Sequence, residues 1–155
     1  MRMKVLFVCL GNICRSPAAE GVFIHLINKK GLSEEFTVDS AGTSSFHIGN
    51  TADKRMIDHA KKRGINLPSR ARQIDASDFV EFDWIVTMDD SNFNYCLNLA
   101  PNSKLKEKVL RMSDYAPLSG LEEVPDPYYG GPLGFEIVLD MVTEGSENLI
   151  KKFTS

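Results

Sequence analysis

The sequence predicts an α/β fold: a single doubly wound domain whose four-stranded parallel sheet is flanked by helices on both faces. Three observations carry that expectation. Short apolar runs, rich in β-branched and aromatic residues, alternate with segments of helical period along the whole chain. The 155 residues contain no linker, internal repeat or low-complexity tract, so residues 1–155 read as one domain with room for a full core. Right-handed helical crossovers between four such strands place the loops after every strand on one side of the sheet, where ligands bind such folds.

The first strand is Val5-Leu6-Phe7-Val8. A tight loop from Cys9 to Ser16 follows. Gly11 and Asn12 are residue types that readily adopt positive φ, Ser16 is a good N-cap, and Pro17 is favoured at a first helical position. The helix from Pro17 to about Lys30 repeats Ala18, Val22 and Leu26 at helical spacing, and Gly31 ends it. Phe36 to Ser40 is the second strand, and residues 41–50 form a small, polar loop with one exposed aromatic candidate, Phe46. Asp53 to Arg63 is the second helix, with Met56, Ile57 and Ala60 on one face. Pro68 keeps Leu67 out of helical geometry, so residues 67–72 are a loop, and Ala76 to Phe79 forms a helical turn. Trp84 to Met88 is the third strand, Asp89-Asp90-Ser91 opens a helix toward Leu99, and Val109 to Met112 is the fourth strand. Ser113 to Leu133 is a long loop carrying Pro117, Pro125, Pro127 and Pro132; loops of that length are often functional. Phe135 to Phe153 is the closing helix, weakened in its middle by Gly145.

The loop after the first strand carries the chemistry. A turn of this kind in front of a helix directs several backbone N–H groups at one point, and phosphate is the natural anion for such a point. Leu10, Gly11, Asn12, Ile13, Cys14, Arg15 and Ser16 are therefore the candidate phosphate-binding residues. Arg15 presents a planar fork able to hold two phosphate oxygens. Positive charge and a helix N-terminus favour the thiolate form of a nearby cysteine, the form that attacks phosphorus. A cysteine ending a buried strand is by itself an ordinary small hydrophobe. The whole run Cys-x5-Arg-Ser, with Gly-Asn inside it, makes Cys9 a candidate nucleophile.

Displacing an alkoxide or phenoxide also needs a proton. The long loop offers one in Val124-Pro125-Asp126-Pro127-Tyr128-Tyr129, where two prolines stiffen the backbone presenting Asp126. Taken alone, this stretch reads as a turn; beside the Cys9 loop, Asp126 becomes a candidate general acid. Tyr128 and Tyr129 are candidate cleft walls that stack on an aromatic substrate, with Phe46 opposite. His47 reads as a surface residue.

Val8-Cys9-Leu10-Gly11-Asn12-Ile13-Cys14-Arg15-Ser16-Pro17 resembles the phosphate loop of the low-molecular-weight protein tyrosine phosphatases, and Asp126-Pro127-Tyr128-Tyr129 resembles their general-acid loop. The resemblance implies hydrolysis of phosphotyrosine and aryl phosphates through a phosphocysteine intermediate. Cys9, Arg15 and Asp126 would be catalytic, and no metal or organic cofactor would take part. Tyrosine-phosphorylated proteins would be the substrates and inorganic phosphate the product. It further implies that Asn12, Ser16, Ser40 and Asp89 support the loop. Ser69 stands where the family commonly has a histidine bonded to the asparagine, so a serine would have to replace it. Asp89 also reads as a plain helix N-cap, and the two roles are compatible.

Hydrophobic residues at 43% and charged residues at 25% are ordinary for a soluble globular protein, and a net charge of −3 suggests no nucleic-acid partner. Neither a membrane span nor a signal peptide is expected. Three cysteines, Cys9, Cys14 and Cys96, are an odd count that favours a reducing, cytoplasmic setting. The chain is expected to act as a monomer. His25, His47 and His59 are scattered, so no metal site is expected. Cys14, five residues from Cys9, either packs beneath the loop or resolves an oxidised Cys9 as a disulfide. The rival reading is a thiol-dependent arsenate reductase of the same fold, which needs relay cysteines that Cys96 alone does not provide. A non-catalytic phosphotyrosine-binding module is disfavoured by Cys9, Arg15 and Asp126 occurring together.

Overall fold

Val5, Leu6, Phe7 and Val8 are all fully buried because both faces of their strand are covered, which is why the run is apolar without alternation. The computed structural model describes residues 2–128 and 130–155. Its strands are β1 (Met3–Cys9), β2 (Phe36–Gly42), β3 (Trp84–Thr87) and β4 (Val109–Arg111). They form one sheet in the order β2-β1-β3-β4, and every pairing is parallel. The helices are α1 (Arg15–Lys29), α2 (Lys54–Lys61), α3 (Asp78–Glu81), α4 (Asp90–Leu99), α5 (Ser103–Lys106) and α6 (Pro132–Thr154).

The pleat divides the core in two. Val5, Phe7 and Cys9 face one cluster with Phe23 of α1 and Leu139 and Leu149 of α6. Leu6 and Val8 face the other, with Phe79 of α3 and Cys96 of α4. Helices therefore cover both faces, as expected. Chain order reverses direction between β1 and β3, and the crevice at their carboxyl ends is where an open α/β sheet binds its ligand.

Several boundaries differ from the sequence reading, each for a local reason. Helix α1 starts at Arg15 with Cys14 at the N-cap position and no side-chain cap. Ser16 is thus not the cap; its hydroxyl is engaged within the loop instead. The predicted loop 113–133 contains two 3-10 turns, at Met112–Tyr115 and Pro117–Ser119, and α6 begins within it, with Pro132 as its first residue. Gly145 does not interrupt α6. A Cβ there would lie 2.2 Å from Met112 Sδ, so the glycine lets the helix approach the turn after β4. Helix α5, a single turn capped by Asn102, was not anticipated.

Candidate active site

The loop from Cys9 to Arg15 curls back on itself through one strained residue. Asn12 sits at φ 57°, the one non-glycine residue with positive φ among those described. Its side chain is fully engaged: Nδ2 donates to Ser16 Oγ at 2.8 Å and Ser40 Oγ at 2.9 Å, and Oδ1 accepts from the Arg72 amide at 3.0 Å. Those three bonds hold a conformation that costs roughly 1–3 kcal/mol elsewhere. The loop's carbonyls are tied outward, Cys9 O to Thr43 N, Leu10 O to Ser44 N and Ile13 O to Asp53 N, at 2.7–2.9 Å. None of the amides from Leu10 to Arg15 donates to another described residue, so they are available to an anion beside the uncapped start of α1.

Gly42, directly opposite Cys9 in the β1–β2 register, makes this geometry possible. A Cβ there would stand 2.7 Å from Leu10 O and 3.1 Å from Asn12 N.

Arg15 is only 3% exposed. Its Nη1 donates to Asp89 Oδ2 at 2.7 Å and to Val124 O at 3.1 Å, and its Nη2 lies 3.7 Å from Asp126 Oδ2. Burial opposes the charge, but attraction to Cys9, Asp89 and Asp126 prevails and raises the arginine pKa. Asp89 does two jobs at once: its Oδ1 accepts from Asn92 N at 2.8 Å in a capping box that starts α4, while Oδ2 anchors Arg15. One carboxylate thus caps α4 and pairs with Arg15.

Cys9 Sγ lies 3.0 Å from Ser16 Oγ, a contact that orients the sulfur. Above it opens a cavity of about 500 Å³, walled by the loop residues, Phe46, His47, Asp126 and Tyr128. Asp126 is partly exposed, and its Oδ1 accepts from the Tyr128 amide at 3.0 Å. Phe46 is 84% exposed and edge-on to His47, with ring centroids 4.9 Å apart. Phe46 and Tyr128 both line the cavity. Tyr129 lies outside the described residues. His47, read as a surface residue, is a half-buried part of the cleft wall instead, because the loop after β2 folds over Gly11.

Ser69 needs correcting. It does not reach Asn12, whose oxygen is already taken by the Arg72 amide. Glu20, a carboxyl on α1, accepts from Ser40 Oγ at 2.6 Å. Glu20 is 6% exposed, and burial raises its pKa against the help of Ser40 and Ser69. Sequence reasoning missed this residue; the available signal was a lone acid flanked by the small and apolar residues Ala18, Ala19, Gly21 and Val22. It also missed Arg55, which donates to Tyr128 O at 3.1 Å and packs its guanidinium over the Tyr128 and Phe135 rings at 5.4 and 5.0 Å. No sequence signal marks Arg55, because its role depends on α2 meeting the long loop.

Cys14 and Cys96 behave differently from a relay. Cys14 is buried in the loop, and burial with the neighbouring Asp53 and Cys9 charges pushes its thiol pKa far up. Cys96 is fully buried on the opposite face of the sheet, its thiol pushed up to about 12 by burial and Asp78. It does not share a side of the sheet with Cys9.

The family model described as low molecular weight phosphotyrosine protein phosphatase matches residues 4–155. The Schizosaccharomyces pombe protein of that name is 43% identical over 150 residues, 96% of each chain. A protein tyrosine phosphatase structure from Entamoeba histolytica superposes with a TM-score of 0.95 at 47% identity, covering 98% of this chain and 97% of that one. The structure of YfkJ from Bacillus subtilis gives 0.91 at 38%, covering 99% and 96%. With the match running from the first strand to the last helix, the chain belongs to the low molecular weight phosphotyrosine protein phosphatases.

Proposed function

We propose that this phosphatase uses Cys9 as nucleophile, Arg15 and the Leu10–Arg15 amides as the phosphoryl cradle, and Asp126 as general acid and base. Family membership makes it a protein tyrosine phosphatase, a hydrolase that releases phosphate from phosphoproteins. In the first step the Cys9 sulfur attacks phosphorus, the P–O bond to the tyrosine breaks, and Asp126 gives its proton to the departing phenolate. In the second, Asp126 takes a proton from water as that water's oxygen attacks phosphorus, the S–P bond breaks, and inorganic phosphate leaves. The cradle stabilises the equatorial oxygens in both transition states. Ser16, Ser40, Asn12 and Asp89 hold it in shape, and Phe46 and Tyr128 bound the aryl ring. Each step uses groups of the chain itself, without metal or cofactor.

One observation carries this reading: a sulfur, a buried guanidinium and a partly exposed carboxyl border one cavity at the carboxyl end of β1. The Entamoeba relative was solved with Hepes, a sulfonate, in its active site, which supports an anion at the corresponding place here. The free thiols of all three cysteines support a cytoplasmic setting, and we take the working unit to be a monomer formed by a single domain, residues 1–155.

The test is a leaving-group series. Cys9→Ser should abolish turnover of aryl phosphates with the fold retained. Asp126→Ala should slow substrates with poor leaving groups by about 10²–10⁴ and those with good ones far less. Equal losses across the series would remove Asp126 from the acid role, and an active Cys9→Ser enzyme would sink the mechanism.

A further inference from the structure

Beside the catalytic cleft lies a second depression of about 480 Å³ that the mechanism does not use. The two share Ile13, His47 and Tyr128 as a common wall. The far rim of the second is the segment around Arg70, held in place by an antiparallel bridge between Thr51 and Arg70 and by bonds of 2.8 Å from Gly49 N to Ala71 O and Ala71 N to Asn50 O.

The charges here are not balanced. Asp53, also in the depression, is already neutralised: Arg55 grips it with two side-chain bonds of 3.0 and 2.9 Å and one from its amide, which lowers the Asp53 pKa. Arg70 has no such partner. Its Nη1 donates to Gly49 O at 3.0 Å, and no carboxylate among the described residues pairs with it. The guanidinium is thus oriented by one backbone bond, and Arg70 is exposed at the rim of the depression. In a chain of net charge −3 this is not one more member of a basic surface.

We propose that Arg70 and the adjoining depression form a subsite for an acidic side chain flanking the phosphotyrosine of a protein substrate. The inference rests on the phosphatase reading above. A phosphotyrosine ring held between Phe46 and Tyr128 leaves its own backbone at the mouth of the cleft. Extended chain advances about 3.3 Å per residue, so a residue one or two positions away reaches across the shared wall. A carboxylate there meets a preoriented guanidinium, and Asp53 does not repel it because Arg55 has claimed that charge. A lysine at the same position meets Arg70 unfavourably, so the subsite discriminates by repulsion as well as attraction.

The experiment compares kcat/KM for phosphotyrosine peptides of one core sequence, with Asp, Ala or Lys placed singly at the two positions on either side. For the wild type we expect Asp to be preferred over Ala at one of these positions by about two- to fivefold, as for a solvent-exposed ion pair, and the preference to shrink as salt rises. In Arg70→Gln that ratio should fall to near one, and in Arg70→Glu it should invert toward Lys. Because each variant is judged by a ratio between peptides, a general change in its activity does not confound the result. No acidic preference at any of the four positions, or a preference that survives Arg70→Gln, overturns the subsite. If the wild type turns over neither these peptides nor phenyl phosphate, the phosphatase reading itself fails, which is a separate outcome.

Discussion

Replacing Asp89 separates two functions that one carboxylate performs. Its Oδ1 caps α4 and its Oδ2 pairs with Arg15, with side-chain exposures of 3% for Arg15 and 21% for Asp89. Asp89→Ala loses both. Removing one partner of a buried pair costs about 3–5 kcal/mol, and losing an N-cap about 1 kcal/mol. The sum of roughly 4–6 kcal/mol consumes much of a total stability that is about 5–15 kcal/mol for a domain. Asp89→Asn has a choice. With its amide oxygen on the cap, an N–H₂ faces the buried guanidinium at the higher cost; with the oxygen on Arg15, only the cap and the charge are lost. The side chain will take the second orientation, so the expected loss is about 1–2 kcal/mol, a Tm lower by about 2–8 °C. Urea unfolding of wild type and both variants measures this, with steady-state kinetics on an aryl phosphate alongside. Inorganic phosphate should recover more stability in Asp89→Asn than in wild type, because a bound anion gives Arg15 a second partner. If Asp89→Asn matches the wild type in both stability and KM, Asp89 does not anchor Arg15 and the argument fails.

Gly42→Ala places a methyl group against loop backbone, so it should cost about 1–3 kcal/mol and lower kcat/KM together with stability; a variant as active as wild type would show that the loop can shift freely. Glu20→Gln tests the buried carboxyl through pH. The unfolded chain releases this proton at a lower pH than the folded one, so between the ordinary carboxyl pKa and the raised folded value the wild type loses stability as pH rises. The Gln variant lacks that slope, and thermal melts should show the stability gap moving in its favour through this window; a pH-independent gap refutes the assignment. Cys14→Ser should remain active yet lose most of its recovery by dithiothreitol after peroxide. The raised pKa of Cys14 makes resolution in the wild type faster at higher pH. Full recovery of Cys14→Ser would leave Cys14 as a packing residue.

Much of this protein is local and therefore legible in the chain. Val5 to Val8 announces a central strand because burial on both faces demands an unbroken apolar run. Gly11-Asn12 marks a turn with positive φ, and the short spacing from Cys9 to Arg15 and Ser16 keeps the three on one loop. Asp126 was legible as a candidate because two prolines and two tyrosines surround it, although only the return of the long loop to β3, through Val124 N to Met88 O at 2.8 Å, carries it to Arg15. Long-range pairing decided the rest. Asn12 is held by Arg72, sixty residues away and through a backbone amide, which carries no side-chain signature. Ser69 makes no hydrogen bond to Asn12, whose partners Ser16, Ser40 and the Arg72 amide come from three separate segments. Arg55 clamps Tyr128, and Arg70 stands without an acid at the rim of the cleft. Whether a charged side chain is paired depends on which distant segment packs beside it, and packing geometry is not encoded in the identity or spacing of the residues concerned.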